Sequence, residues 1–329
     1  MQEPIIAVER LRKVYRVPVR EKGLLPSVKA LIHPVYNNVT AVDNINFQIN
    51  RGEIVGFIGP NGAGKTTTLK MLSGLLYPTE GNTRVAGYIP YERQRDYLKT
   101  ISMVMGNKSQ LIPSITVMDS FYITKEIYQI SSEDFKPRLE ELSDLLEIED
   151  LLNKLPRNLS LGERAKCEFA AALLYRPDIL FLDEPTLGMD VSIQIRLRKF
   201  IKDYNKKYGT TIILTSHYME DITSLCSRTI FINKGKLMYD GSLEELSRKL
   251  SPYKLIKATF KEELQEVSAL LPKDSTLTEK NGLTYIFRVN KEEISETAGV
   301  LLRSNLIIDL TIENPSIEAV IDKAYQEGV

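Results

Sequence analysis

Apolar residues in this chain gather in short unbroken runs set between stretches of helical spacing. Ile54 to Ile58, between Gly52 and Gly59, has no polar alternation, which predicts a strand buried on both faces. Ile101 to Met105, Ile179 to Leu182 and Thr211 to Thr215 have the same character. Lys65 to Leu76, the Ala-rich Leu161 to Tyr175 and the amphipathic Val191 to Lys207 are spaced as helices, and Ile115 to Lys154 reads as mostly helical with charged faces. Strand and helix in alternation predict an α/β fold, a parallel sheet wound on both faces.

Two regions depart from that pattern. Ile5 to Tyr15 reads as a strand entering the core, and Arg16 to Val39 then interrupts it with Pro18, Gly23, Pro26 and Pro34. Proline breaks any helical period too often there, so a solvated loop is expected; a short amphipathic piece carrying Leu24, Leu25, Val28, Leu31 and Ile32 is the alternative. After about Leu250 the strands Leu255 to Phe260, Leu283 to Val289 and Ile307 to Ile312 mix with helices at Glu262 to Leu271, Lys291 to Leu302 and Ile317 to Tyr325. Asn314-Pro315 suits the start of the last helix, Asn as cap and Pro in the first turn. The expected organisation is a domain over 1–250 and a small α+β appendage over 251–329.

Composition narrows the class. The 329 residues carry 43 Lys+Arg against 43 Asp+Glu, with 43% hydrophobic and 26% charged residues. Such a chain can bury a core, and its zero formal charge argues against nucleic acid as a partner. No apolar run approaches the ~18 residues of a membrane span, and the start Met1-Gln2-Glu3-Pro4 lacks a signal-peptide core. Cys167 and Cys226 are the only cysteines, which fits a reducing compartment. A soluble intracellular protein is expected.

Gly59-Pro60-Asn61-Gly62-Ala63-Gly64-Lys65-Thr66 fits G-x-x-x-x-G-K-[ST], with a buried strand before it and a helix, opening on Lys65, Thr66 and Thr67, after it. Glycines let backbone N–H groups turn inward around a β-phosphate, and the helix N-terminus adds partial positive charge. Lys65 would reach the β- and γ-phosphates of a nucleoside triphosphate, and the Thr66 hydroxyl would ligate Mg2+. Ile179 to Leu182 delivers Asp183 and Glu184 at a strand's C-terminal end, where open α/β sheets bind ligands. Asp183 would orient Mg2+ and Glu184 would polarise an attacking water. Pro185 and Thr186 make a turn there, which speaks against a mere acidic helix cap. Ser160-x-x-Glu163 is a capping box and, with Gly162, also a helix N-terminus open to anions.

In this order the motifs resemble the nucleotide-binding subunit of an ATP-binding cassette (ABC) transporter. Leu159 to Glu163 is similar to the family signature Leu-Ser-x-Gly-Gln, so the resemblance implies that Ser160, Leu161, Gly162 and Glu163 face the ATP of a partner subunit. Leu187-Gly188-Met189-Asp190 resembles the D-loop, and His217 in Thr215-Ser216-His217 resembles the switch histidine at the γ-phosphate. Tyr15 occupies the place of the aromatic that stacks on adenine. At the Q-loop the best match is Asn107, with Gln110 as the alternative. Glu163 stands where the family has Gln and is expected to fold back and cap Ser160. The resemblance covers Ile5 to about Leu246, with a helical subdomain at about 107–160; the tail and the insertion resemble type-2 exporters serving drug or antibiotic efflux.

The resemblance implies a head-to-tail dimer closed on two ATP, a homodimer in the simplest case, driving separate integral membrane permease subunits from the cytoplasmic face. The helical region around Phe121 to Ile130 would dock on the permease, with packing of its apolar residues into the core as the alternative. Two other classes compete. Non-transport ABC ATPases carry two cassettes or a long coiled-coil insertion, and here there is one P-loop and only about fifty residues between Q-loop and signature. A nucleotide-binding regulator would not need both Glu184 and His217.

Overall fold

In the computed structural model, which describes residues 3–18, 36–106, 108–251, 253–263, 275–304, 306–316 and 319–321, the chain divides into two units between Gly241 and Ser242. The first unit opens with β1 (Ile6–Pro18) paired antiparallel to β2 (Tyr36–Ile49). Then come β3 (Ile54–Ile58), α1 (Lys65–Leu72), β4 (Glu80–Val85), α2 (Arg95–Thr100) and β5 (Ile101–Met105). A helical stretch follows, α3 (Val117–Tyr128), α4 (Ser132–Leu146) and α5 (Leu161–Leu173). The unit closes with β6 (Ile179–Asp183), α6 (Val191–Tyr208), β7 (Thr211–Thr215), α7 (Met219–Leu225), β8 (Arg228–Asn233) and β9 (Lys236–Gly241).

The apolar runs become neighbours in one sheet of order β5-β6-β7-β3-β8-β9, parallel throughout except for β9. Every residue of β3 and β7 is buried, as a sheet covered on both faces requires. A second sheet, β2-β1-β4, is antiparallel. Its Ile6, Val8, Ile45 and Phe47 share one core with Val55 and Phe57 of β3 and with Leu69, Met71 and Leu72 of α1. Phe47 meets Phe57 edge to face at 5.3 Å between ring centres, the favoured geometry for an aromatic pair.

The insertion begins later than expected. Arg16, Val17 and Pro18 pair with Asn38, Asn37 and Tyr36, so both ends of the Arg16 to Val39 stretch are strand and not loop. Val17, Tyr36 and Val39 favour extended backbone, and the ladder begun by Ile6 and Ile49 carries on through them. Residues 19–35, where the amphipathic alternative would lie, are outside the described residues.

The stretch from Ile115 to Lys154, read from the sequence as mostly helical, is divided by two left-handed turns. The α3 helix starts in a reciprocal capping box of Thr116 and Asp119 and stops at Gln129, whose φ is 56°. Ser131 then caps α4, which stops at Glu147 with φ 52°.

The second unit holds α8 (Leu243–Leu250), β10 (Tyr253–Phe260), β11 (Thr276–Asn281), β12 (Thr284–Asn290), α9 (Ile294–Arg303) and β13 (Ile307–Glu313). Its antiparallel sheet has the order β11-β12-β10-β13. Ile256, Ala258 and Phe260 alternate inward with Tyr285, Phe287 and Val289, and Leu301 of α9 covers them. The three expected strands are present. The expected helix at Glu262 to Leu271 falls mostly on residues 264–274, outside those described, and of the last helix only 319–321 are described, in helical form. Among the described residues no helix is long and apolar enough to cross a membrane.

Candidate functional site

The parallel strands bring four separate loops to one end of the sheet. Asp183 pairs with Met105 on one side and Thr215 on the other, and Thr215 pairs in turn with Phe57. The loops that follow β3, β5, β6 and β7 therefore converge at the strands' C-terminal ends.

Gly59 to Thr66 forms the first loop. Gly64 adopts φ 111°, and a Cβ there would run into the Ala41 carbonyl, so no other residue fits. Gly64 also caps α1 without any side-chain hydrogen bond, leaving the helix's first N–H groups to an anion. Gly235 N–H donates to the Ala63 carbonyl at 2.9 Å, which pins the loop to the β8–β9 turn. Lys65 is only 6% exposed. Its Nζ donates to the Gly59 carbonyl at 2.5 Å and to that of Pro60 at 3.2 Å. Burial holds its pKa below the ordinary lysine value, against the opposing pull of Glu184 and Asp183.

Asp183 is locked by two hydroxyls. Its Oδ1 accepts from Thr66 at 2.9 Å and from Thr215 at 2.7 Å. Glu184 has φ 55°, left-handed backbone that costs a non-glycine residue about 1 kcal/mol or more. Its N–H is held by both the carbonyl (3.0 Å) and the hydroxyl (3.1 Å) of Thr215. This bend aims the carboxylate at His217, whose Nε2 lies 2.7 Å from Oε1. Gly106 passes so close that a Cβ would sit 2.5 Å from the Glu184 carbonyl oxygen, and its N–H donates to the Asp183 carbonyl at 3.0 Å. Thr66, Lys70, Gly106, Lys108, Asp183 and Glu184 line the resulting cleft, about 130 Å³ in volume.

The other expected residues lie elsewhere. Asn107 falls outside the described residues. Gln110 turns its amide to the Met103 carbonyl (2.5 Å) and does not line the cleft, so the alternative Q-loop position is engaged with the backbone of β5. Ser160 and Glu163 form the expected reciprocal box. Ser160 N–H donates to Glu163 Oε2 at 2.8 Å and Glu163 N–H to Ser160 Oγ at 3.3 Å. That backbone N–H is the main reason the Glu163 carboxyl sits below its ordinary pKa. Gly162 packs against the start of α6, where a Cβ on it would strike Ile193, and Leu161 packs against the turn before α6, where a Cβ on Gly188 would lie 3.2 Å from it. Asp190 begins α6 without a side-chain cap bond. The signature and D-loop turns are thus neighbours of each other; of these residues Leu187 alone lines the cleft, and Ser160 to Glu163 do not. Tyr15, 36% exposed, stands opposite Val39 on the β1–β2 ribbon with the Lys13 ammonium 5.4 Å from its ring centre.

Sequence reasoning missed Thr215 and Gly106, which act on Asp183 and Glu184 across strands. The donor set fits a nucleoside triphosphate with Mg2+. Backbone N–H groups and Lys65 suit phosphate, and the oxygens of Thr66 and Asp183 suit a hard cation. Among the described residues no group of three or more His, Cys, Asp or Glu could hold a metal ion unaided. A magnesium ion here would complete its shell with phosphate and water oxygens.

Comparison with known proteins identifies the family and the fold. The sequence profile of the family described as ABC transporter matches residues 42–187. ABC transporter ATP-binding protein NatA of Bacillus subtilis is 35% identical over 208 residues, 63% of this chain and 84% of that protein. Nod factor export ATP-binding protein I of Cupriavidus metallidurans is 30% identical over 79% of this chain and 85% of its own length. The methionine import ATP-binding protein MetN of Clostridioides difficile is also similar, 32% identical over 65% of this chain and 68% of that protein. Among solved structures, an ATP-binding subunit of an ABC transporter superposes with a TM-score of 0.62 at 23% identity, covering 74% of this chain and 92% of that one, a likeness of fold.

Proposed function

This chain belongs to the ABC transporter ATP-binding family, whose members are ATPases coupled to transport, and from that premise we propose a residue-level mechanism and an exporting role. The observation that carries the mechanism is the 2.7 Å contact of His217 with Glu184 beside the Thr66–Asp183–Thr215 lock. Lys65 and the N–H groups of Gly59 to Thr66 bind the β- and γ-phosphates. Thr66 and Asp183 would hold Mg2+, which when bound neutralises phosphate charge. Glu184 accepts a proton from the attacking water, and the His217 imidazole holds the Glu184 carboxylate toward it. Positioning and charge do the work, with no covalent intermediate on the protein.

The signature turn supports a two-subunit site. Ser160 and Gly162 do not line their own chain's cleft, so they serve the nucleotide of a second cassette, in the simplest case another copy. Val191 and Ile195, one helical turn apart at the start of α6, are 65% and 56% exposed next to Asp190 and would be covered by that partner. Tyr15 stacks on adenine. On α3, Ile123 and Ile127 expose an apolar edge one turn apart, beside Tyr122. A membrane-embedded permease at the cytoplasmic face fits that edge. Export is supported by the long match to a protein named for Nod factor export, which extends further along this chain than the match to the import protein, and a drug or antibiotic cargo by similarity to proteins named for linearmycin resistance and multidrug transport.

Affinity capture of the full chain from detergent-solubilised membranes tests this reading. An integral membrane protein is expected to come with it. Recovery only with ribosomes or DNA would reject it, and accumulation of cargo inside cells that overproduce the pair would reject export alone.

A further inference from the structure

Behind the hydrolytic pair lies a carboxylate that the mechanism above does not use. Asp221, on α7, has no exposed surface, and a buried carboxylate persists only when paired and hydrogen-bonded. Its Oδ2 accepts from the Thr186 hydroxyl at 2.5 Å and the Ser216 hydroxyl at 2.6 Å. Its Oδ1 lies 2.8 Å from Nε of Arg198 on α6, close enough for charge pairing though not aligned as a hydrogen bond. Thr186 follows Glu184 by two positions, and Ser216 immediately precedes His217. One oxygen atom therefore fastens the flank of both members of the pair.

The network continues past Asp221. Arg198 Nη2 donates to Gln194 Oε1 at 3.2 Å and also meets the exposed Glu220 carboxylate at 3.1 Å. Gln194 Nε2 donates to the carbonyls of Met189 at 3.1 Å and Thr186 at 3.3 Å. Asp221, Thr186, Gln194 and Arg198 thus close a ring of polar contacts that grips the 187–190 turn. Thr186, Gln194 and Ser216 are at most 5% exposed, so water cannot substitute cheaply for any of these bonds.

We propose that Asp221 is a positioning residue: through Thr186 and Ser216 it holds Glu184 and His217 at bonding distance, and through Arg198 and Gln194 it ties that distance to the 187–190 turn. This rests on the assignment of Glu184 and His217 to hydrolysis. A displacement of the turn must then drag Gln194 and Arg198, and with them the carboxylate that both flanks share.

Substitutions at Thr186 separate a hydrogen-bonding role from a packing role. Thr186→Val keeps the shape and removes the hydroxyl, whereas Thr186→Ser keeps the hydroxyl and removes a methyl. Steady-state ATP hydrolysis by the full chain should show kcat about ten-fold or more lower in Thr186→Val, with KM for ATP within about two-fold. Thr186→Ser should recover most of that loss. Ser216→Ala should resemble Thr186→Val, and the double variant should lose less than the product of the two. Unchanged kcat in Thr186→Val overturns the proposal. So does a fall in kcat matched by an equal rise in KM, or Thr186→Ser being the worse variant with melting temperature falling in step. Glu184→Gln assayed alongside tells two failures apart. If it is inactive while Thr186→Val runs at full rate, the positioning role alone is wrong; if it too hydrolyses at full rate, the assignment of Glu184 falls and takes the proposal with it.

Discussion

Thr215 stands directly opposite Asp183 in the β6–β7 ladder and gives its hydroxyl proton to Asp183 Oδ1 at 2.7 Å, while the same hydroxyl accepts from the Glu184 N–H at 3.1 Å. One side chain on a neighbouring strand thus orients both acids. Thr215→Val keeps the shape and removes both bonds at a fully buried position. The expected cost is about 1–3 kcal/mol of stability, with hydrolysis reduced about ten-fold or more. Urea denaturation and a phosphate-release assay measure the two effects.

Glu184→Gln retains size and hydrogen bonding to His217 but cannot accept the proton of water. Turnover should fall by about a hundred-fold or more, while ATP binding stays and an ATP-bound dimer accumulates. Size-exclusion chromatography with and without ATP reads the dimer; a monomeric profile with ATP bound would contradict the two-subunit site.

Lys65 sets a pH dependence whose sign follows from its burial. Its folded pKa lies below the unfolded value of 10.5. Between those two values the unfolded chain binds more protons, so stability should rise with pH toward 10.5 relative to a Lys65→Met variant. Phosphate bound beside the ammonium should flatten that difference. Chemical denaturation of both proteins across alkaline pH, with and without Mg-ATP, provides the comparison, and Lys65→Met should also bind ATP about ten-fold or more weakly.

Gly106 leaves no room for a methyl group, since a Cβ would lie 2.5 Å from a backbone oxygen that cannot rotate away. Gly106→Ala should cost about 1–3 kcal/mol and displace Glu184. Thermal unfolding and hydrolysis assays are expected to fall together, and a variant of full activity would show that the two loops part more easily than this packing implies.

On the exposed edge of α3, Ile127 is 64% exposed. Ile127→Glu should leave folding and the hydrolysis rate of the isolated chain intact, because most of the side chain already faces solvent. Recovery of the membrane partner in affinity capture should drop. Equal recovery would move the docking surface elsewhere.

What could be read from the sequence followed the physics of burial. β3, β5, β6 and β7 are covered on both faces and so announce themselves as apolar runs. β11 was silent because each of its residues is exposed and most are polar; the Asn281-Gly282 pair, with Gly282 at φ 57°, was its only local signal. Strand pairing through Val17 and Tyr36 was hidden behind Pro18 and two asparagines. At the site, Lys65, Thr66, Asp183, Glu184 and His217 were legible because each sits inside a contiguous motif. Thr215, Gly106 and Asp221 were not, since what they touch is set by strand register and helix packing. Gln110 shows the converse: its residue type suited the cleft, but its amide is taken up by the backbone of Met103.

The strands β3, β5, β6 and β7 share one length, five residues each. That common length works as a ruler. Swapping one aliphatic for another inside a strand shifts the tip by fractions of an ångström, whereas deleting a single residue retracts it by about 3.3 Å and flips the following side chains to the opposite face. Loss of one codon within Ile179 to Leu182 would turn Asp183 and Glu184 the wrong way even with every motif letter preserved. Selection on this protein should therefore tolerate many spellings of these strands and almost no change in their spacing.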